Sequence, residues 1–165
     1  MENYIKGKNI EFQIELSDLP FKNIPPDIVW MKVKPASKMT THIDYAIKSF
    51  EENQIQLWTG IGPAIGKTIS CIEIIKRRIP NLHQITKVAY HKCEEHWVPK
   101  LDGLDSLKVV RNIPVIHILL STELLDSNEP GYQHSQMVLT KELAPLSVNM
   151  KQKKFMQKKT YVKHK

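Results

Sequence analysis

Gly60-Ile-Gly-Pro-Ala-Ile-Gly-Lys-Thr-Ile-Ser-Cys-Ile-Glu-Ile-Ile-Lys-Arg-Arg78 is the most informative stretch of the chain. The run before it, Gln54-Ile-Gln-Leu-Trp58, has strand character and arrives at two glycines. Pro63 stands where a helix can begin, its fixed φ suiting a first-turn position. After it, Ile65, Ile69, Ile72, Ile75 and Ile79 recur at spacings of 4, 3, 3 and 4, one apolar stripe of a helix. Strand, glycine turn and helix together aim free backbone N–H groups outward and make an anion site.

Two phosphate motifs fail here. A Walker A loop needs a glycine five residues before Gly66, where the chain has Ile61. The dinucleotide fingerprint needs a glycine at position 65, one residue ahead of Gly66. A nucleotide-hydrolysing loop and a Rossmann site are therefore both excluded, and no cofactor is expected. Lys67 remains. A cation in the first turn of a helix opposes the macrodipole, at about 0.3–1 kcal/mol, unless an anion lies nearby. Two readings stand: an exposed lysine whose stem keeps its charge in water, or a group that grips a backbone phosphate together with the turn amides.

The 165 residues suffice for one domain with extensions. No uncharged apolar run reaches the roughly 18 residues of a spanning helix, so no membrane partner is expected. Glu2, Glu11, Glu15 and Asp18 argue against a signal peptide. Two cysteines, Cys71 and Cys93, make no disulfide framework and suit a reducing compartment. The net charge of +7 belongs to the end of the chain. Residues 151–165 hold seven lysines and no acid, which leaves 17 basic and 17 acidic residues in 1–150. Any basic face on the body must come from local clustering.

Residues 1–26 read as an extension, with Ile10, Phe12, Ile14 and Leu16 alternating as in a short strand or a partner-ordered segment. A first strand is expected over 27–33 and a first helix over 40–52, with Ser37 or Thr40 as N-cap. Lys34 and Lys38 lie in the intervening turn, at the same end of the sheet as Lys67 if the two strands are parallel. A third strand covers 84–90 and extends toward Trp97. Val109-Val110 and Val115–Leu120 form a fourth, with His117 expected as a hydrogen-bonded core or interface histidine. The tail from 126 onward loses periodicity and is expected to be disordered alone.

Chemistry has no visible home. His91-Lys-Cys93-Glu-Glu-His96 lacks a second ligand pair at zinc spacing, so no metal site is assigned. Asp44 and Glu73 lie on helices and are more simply solvated or paired than general acids, and no nucleophile–base pair stands out. No catalytic residue is assigned.

The order β-α-β-α-β-β resembles the Alba superfamily. Met31-Lys-Val-Lys34, Ser37-Lys38, Gly60-x-Gly62, Lys67-Thr68, Cys71-x-Glu73-Ile-x-Lys76-Arg-Arg78, Leu82-His-Gln84 and Leu119-Leu-Ser121 carry the likeness, with Leu125-Asp126 and Pro130-Gly-Tyr132. These residues are similar to the branch formed by the larger Alba-type subunit of eukaryotic nuclear ribonuclease P and RNase MRP. The resemblance implies an α/β fold of the two-layer α+β kind, a mixed four-stranded sheet with two helices over 27–125. It also implies extensions at 1–26 and 126–165. It implies a non-catalytic subunit that binds a stem-loop of the ribonuclease P/MRP RNA as a heterodimer with a smaller Alba-type subunit, beside other ribonuclease P/MRP proteins. The implied work is tRNA 5′-end and rRNA processing, in the nucleus and nucleolus. RNA contact is carried over to Lys38, Gly60, Gly62 and Lys67, with Lys34 as their neighbour. The position of Pro63 is often arginine in the superfamily, so one phosphate contact is expected to be missing. A general chromatin- or mRNA-associated Alba protein and a pure protein-interaction module are the competing readings. The lysine-rich tail suits either a targeting signal or an RNA tether.

Overall fold

A computed structural model of the chain describes residues 2–22 and 24–134. Six strands and two helices follow in the order β1 (Tyr4–Glu11), β2 (Val29–Val33), α1 (Met39–Ser49), β3 (Ile55–Ile61), α2 (Ile65–Arg78), β4 (His83–Pro99), β5 (Leu107–Ser121) and β6 (Tyr132–His134). One mixed sheet runs β1-β4-β5-β3-β2, and β6 adds to β4. Only β2 and β3 are parallel, Val33 standing opposite Gly60. Their crossover is α1, as a parallel pair requires.

The fold is the expected α+β arrangement, and the sheet is wider than the four strands read from the sequence. The two added strands come from the flanking segments. β1 pairs with the far half of β4, Lys6 opposite Trp97, and β6 pairs with its near half, Ile85 opposite Tyr132. The alternation from Ile10 to Leu16 is not itself a strand. β1 stops at Glu11, and Leu16–Asp18 is a 3-10 turn.

Period-3.6 patterning explains the helix-covered face. Ile43 and Ala46 of α1 with Cys71, Ile72 and Ile75 of α2 bury against Met31, Val33, Trp58, Ile116, Ile118 and Leu120. Strand alternation sends the neighbours of those residues to the other face. There Leu57, Ile85 and Leu119 bury against Leu19, flanked by Ile14, Leu16, Phe21, Ile24 and Ile28. Part of the segment expected to stand ahead of the domain thus covers the second face of the sheet.

β4 and β5 form one hairpin paired from His83–Ser121 out to Trp97–Leu107, well past the end of β3. β5 is continuous through Pro114, which the sequence reading left between two strand pieces. Pro114 lies one residue outside the pairing with β3, where β5 has a single partner strand and proline is tolerated. Residues 135–165, which include the lysine-rich tail, lie outside the described residues.

Candidate nucleic-acid interface

Because β2 and β3 are parallel, the turns that follow them open at one end of the sheet. The first turn is tight. The Ser37 amide donates to the Lys34 carbonyl at 3.0 Å, and the Lys34 amide donates to Ser37 Oγ at 3.2 Å. That use of the hydroxyl removes Ser37 as a helix cap. The N-cap position of α1 is Lys38, in extended conformation with no side-chain cap, where Ser37 or Thr40 was expected. Lys34 and Lys38 are both exposed.

The second turn is built by two glycines with different duties. Gly60 is buried, and a Cβ on it would come within 2.2 Å of Thr68 Oγ1. Thr68 Oγ1 is itself tied to the Ala64 carbonyl at 2.9 Å, so it has little room to move. Gly60 therefore sets how closely α2 approaches β3. The resemblance implied an RNA contact there, and the structure places Gly60 buried against α2. Gly62 has φ +51°, a left-handed conformation that other residues adopt at a cost, and it opens the 3-10 turn Gly62–Ala64. Pro63 occupies the start of that turn, as its fixed φ suits. No side chain caps α2.

Lys67 joins the two turns. Its Nζ donates to the Ser37 carbonyl at 2.8 Å and also to the Pro35 carbonyl. Neither earlier reading of Lys67, free in water or committed to a phosphate, describes this arrangement. An ammonium has three donors, so two hold the first turn in place and one remains for an anion. The bridge fixes Lys34 and Lys38 relative to α2 and gathers three positive charges at one end of a body with no net charge. Behind it Cys71 is fully buried, and burial pushes its thiol pKa up, against the pull of Lys67. No reactive thiolate stands behind the turn.

Of the other three basic residues of α2, Arg77 is exposed and two have partners. Lys76 pairs with Glu73 at 2.8 Å and Arg78 with Asp44 at 3.6 Å. The candidate zinc stretch lies within unbroken β4, so His91 and Cys93 share one face and His96 takes the other. Glu95 accepts from Lys6 at 2.8 Å and from Arg111 at 2.7 Å, which holds its carboxyl below the usual range. Among the described residues no group of three or more histidine, cysteine or acidic side chains is placed to hold a metal. Sequence reasoning missed Lys32, whose ammonium sits 3.9 Å over the Trp30 ring beside the first turn. The i, i+2 pairing of an aromatic and a lysine on one strand was the available signal.

Comparison with known proteins follows the same lines. The Alba family model matches residues 29–92, which contain both turns. A human ribonuclease P protein subunit p25-like protein is 39% identical over 137 residues, 81% of this chain and 82% of that protein. Human ribonuclease P protein subunit p25 is 36% identical over 126 residues, covering 69% of this chain and 63% of its own length. The DNA/RNA-binding protein ALBA1 of Plasmodium falciparum is 33% identical over 111 residues, 66% of this chain and 45% of that protein. With relatives so similar over most of its length, the chain belongs to the Alba family, in the group of the ribonuclease P p25-like and p25 proteins.

Proposed function

We propose that the chain is a non-catalytic RNA-binding subunit of ribonuclease P and MRP, acting in tRNA 5′-end and rRNA processing in the nucleus and nucleolus. The observation that carries this reading is the Lys67 bridge, which makes one preorganised basic surface from two separate turns. Such a surface suits A-form RNA, which is recognised by shape and by phosphate and 2′-OH contacts rather than by base edges. Lys34, Lys38 and the third donor of Lys67 are the phosphate contacts in this reading. Gly60 and Gly62 shape the turn, and Gly62 alone of the two has backbone near the surface. The RNA carries the cleavage chemistry, and the protein holds a stem-loop of it.

A smaller Alba-type subunit is the partner in this reading, and exposed apolar surface supports it. Val88 and Tyr90 are 71% and 73% exposed on β4. Val88 stands opposite Ile116, a residue of the helix-side core, so both side chains lie on the helix side of the sheet. Two large apolar groups side by side in water mark a surface for another protein. A second reading, a general nucleic-acid-binding Alba protein, is favoured by the likeness to the Plasmodium protein.

Isolation of the chain from its native cells, with identification of the RNA and small proteins that accompany it, tests the proposal. Ribonuclease P or MRP RNA together with a second Alba-type chain is the expected recovery. A broad mixture of RNAs would favour the second reading, and protein partners without RNA would contradict both.

A further inference from the structure

On the face of the sheet away from the helices, a cleft of about 360 Å³ opens between the N-terminal segment and strands β4 and β5. Phe12 and Ile14 line one side, with Ala89, His91, Lys92 and His117 on the other. The volume lies within the range of about 300–1,000 Å³ common to small-ligand sites.

Two buried imidazoles give it chemistry. His117 is 3% exposed, and its Nδ1 lies 2.9 Å from Thr59 Oγ1. Thr59 Oγ1 already accepts the Trp30 indole N–H at 2.8 Å, and no other group among the described residues accepts its own proton. The hydroxyl therefore donates to Nδ1, which assigns the His117 proton to Nε2. Nε2–H has no acceptor among the described residues. Burial lowers the His117 pKa to about 4, so the ring stays a neutral donor at physiological pH. His91 is 8% exposed, and its ring also makes no hydrogen bond among the described residues. Both rings line the cleft and leave ring nitrogens open to it, which suits a ligand with polar ring edges. Phe12, half exposed, supplies a flat apolar wall.

The cleft also lies at the end of the sheet that carries the basic turns. His117 stands opposite Thr59 and Val115 opposite Ile61, the last residues of β3 before the glycine turn. A Cβ on Gly62 would meet Ile113, the residue opposite His91. A strand held by Lys38 and Lys67 thus passes the rim of the cleft.

We infer that this cleft takes an unpaired base from the RNA bound at the turns, stacked on Phe12 and hydrogen-bonded by His117 and His91. The inference rests on the RNA-binding reading above. It adds a contact to single-stranded RNA to a surface otherwise suited to duplex backbone.

The test uses the full chain, an RNA hairpin carrying 2-aminopurine among its unpaired nucleotides, and free adenosine 5′-monophosphate. Ring-proton resonances of His91 and His117 and 2-aminopurine fluorescence are followed, with Phe12→Ala and the cleft-filling Ala89→Phe as variants. Expected is that the hairpin moves both rings and changes the fluorescence. Phe12→Ala should weaken hairpin binding about tenfold, the size of one base–aromatic contact, without altering the salt slope or the melting temperature. Ala89→Phe should abolish the ring shifts. A hairpin bound with its full salt dependence while the rings stay still and Phe12→Ala is neutral would overturn the base site and leave the RNA reading intact. No hairpin binding at all would overturn both, and ring shifts with the monophosphate alone would then mark a free-nucleotide site instead.

Discussion

Lys38 and Lys67 carry the same charge at the same end of one sheet, yet they stand in opposite circumstances. Lys38 begins α1 with its side chain exposed and unbonded among the described residues. Lys67 is partly buried and tied to two carbonyls of the turn that holds Lys38. One lysine presents charge and the other mainly sets where that charge is presented. A basic surface therefore need not treat its members equally, and each can be broken in a way the other cannot imitate.

The largest effect is expected behind Lys67. Gly60→Ala would drive a methyl into Thr68 and the Ala64 carbonyl, and overpacking of this kind should cost about 3 kcal/mol. Urea unfolding measures it, and a variant as stable as the parent would show that α2 can yield. Acidification should come next in size and touch neither lysine. Since burial holds His117 at about 4, against 6.5 in an open chain, protons bind the unfolded state first. Stability is then full above about pH 6.5 and falls toward pH 4 by roughly 2–3 kcal/mol. The difference between wild type and either lysine variant should stay constant through that window. Convergence of the curves would link the lysines to the histidine network.

Lys67→Met is expected to cost about 1–2 kcal/mol, because two carbonyls lose a charged donor. It should also loosen the first turn, seen as faster amide exchange at Ser37. Lys38→Ala should leave stability within about 0.5 kcal/mol, as surface changes usually do. Its mark should appear in RNA binding alone, as a salt slope smaller by about one.

How much of this was legible depends on whether a residue's neighbours lie close in sequence. Ile65, Ile69, Ile72 and Ile75 repeat within a few turns, so α2 could be read directly, and the parallel pair β2–β3 placed both turns at one end. The helix cap was misread because Ser37, a good N-cap by type, uses its hydroxyl on the Lys34 amide instead. Ile14, Leu16, Leu19, Phe21, Ile24 and Ile28 have no single period, since they cover a sheet face as irregular chain. β1 finds its partner some 90 residues away, a pairing that no local pattern reveals. The same holds for the bridge itself. Lys67 could be singled out as a cation at a helix start, but its acceptors are backbone carbonyls of Pro35 and Ser37, and carbonyls leave no trace in residue type.

The most direct measurement is the affinity of the full chain for a stem-loop of ribonuclease P RNA, taken from about 50 to about 200 mM salt for wild type and for Lys38→Ala combined with Lys67→Met. If the joined turns are the RNA-binding surface, the double variant binds more weakly and its slope of log affinity against log salt is shallower by about two. Equal slopes for the two folded proteins would contradict that assignment and move the RNA contact elsewhere on the chain.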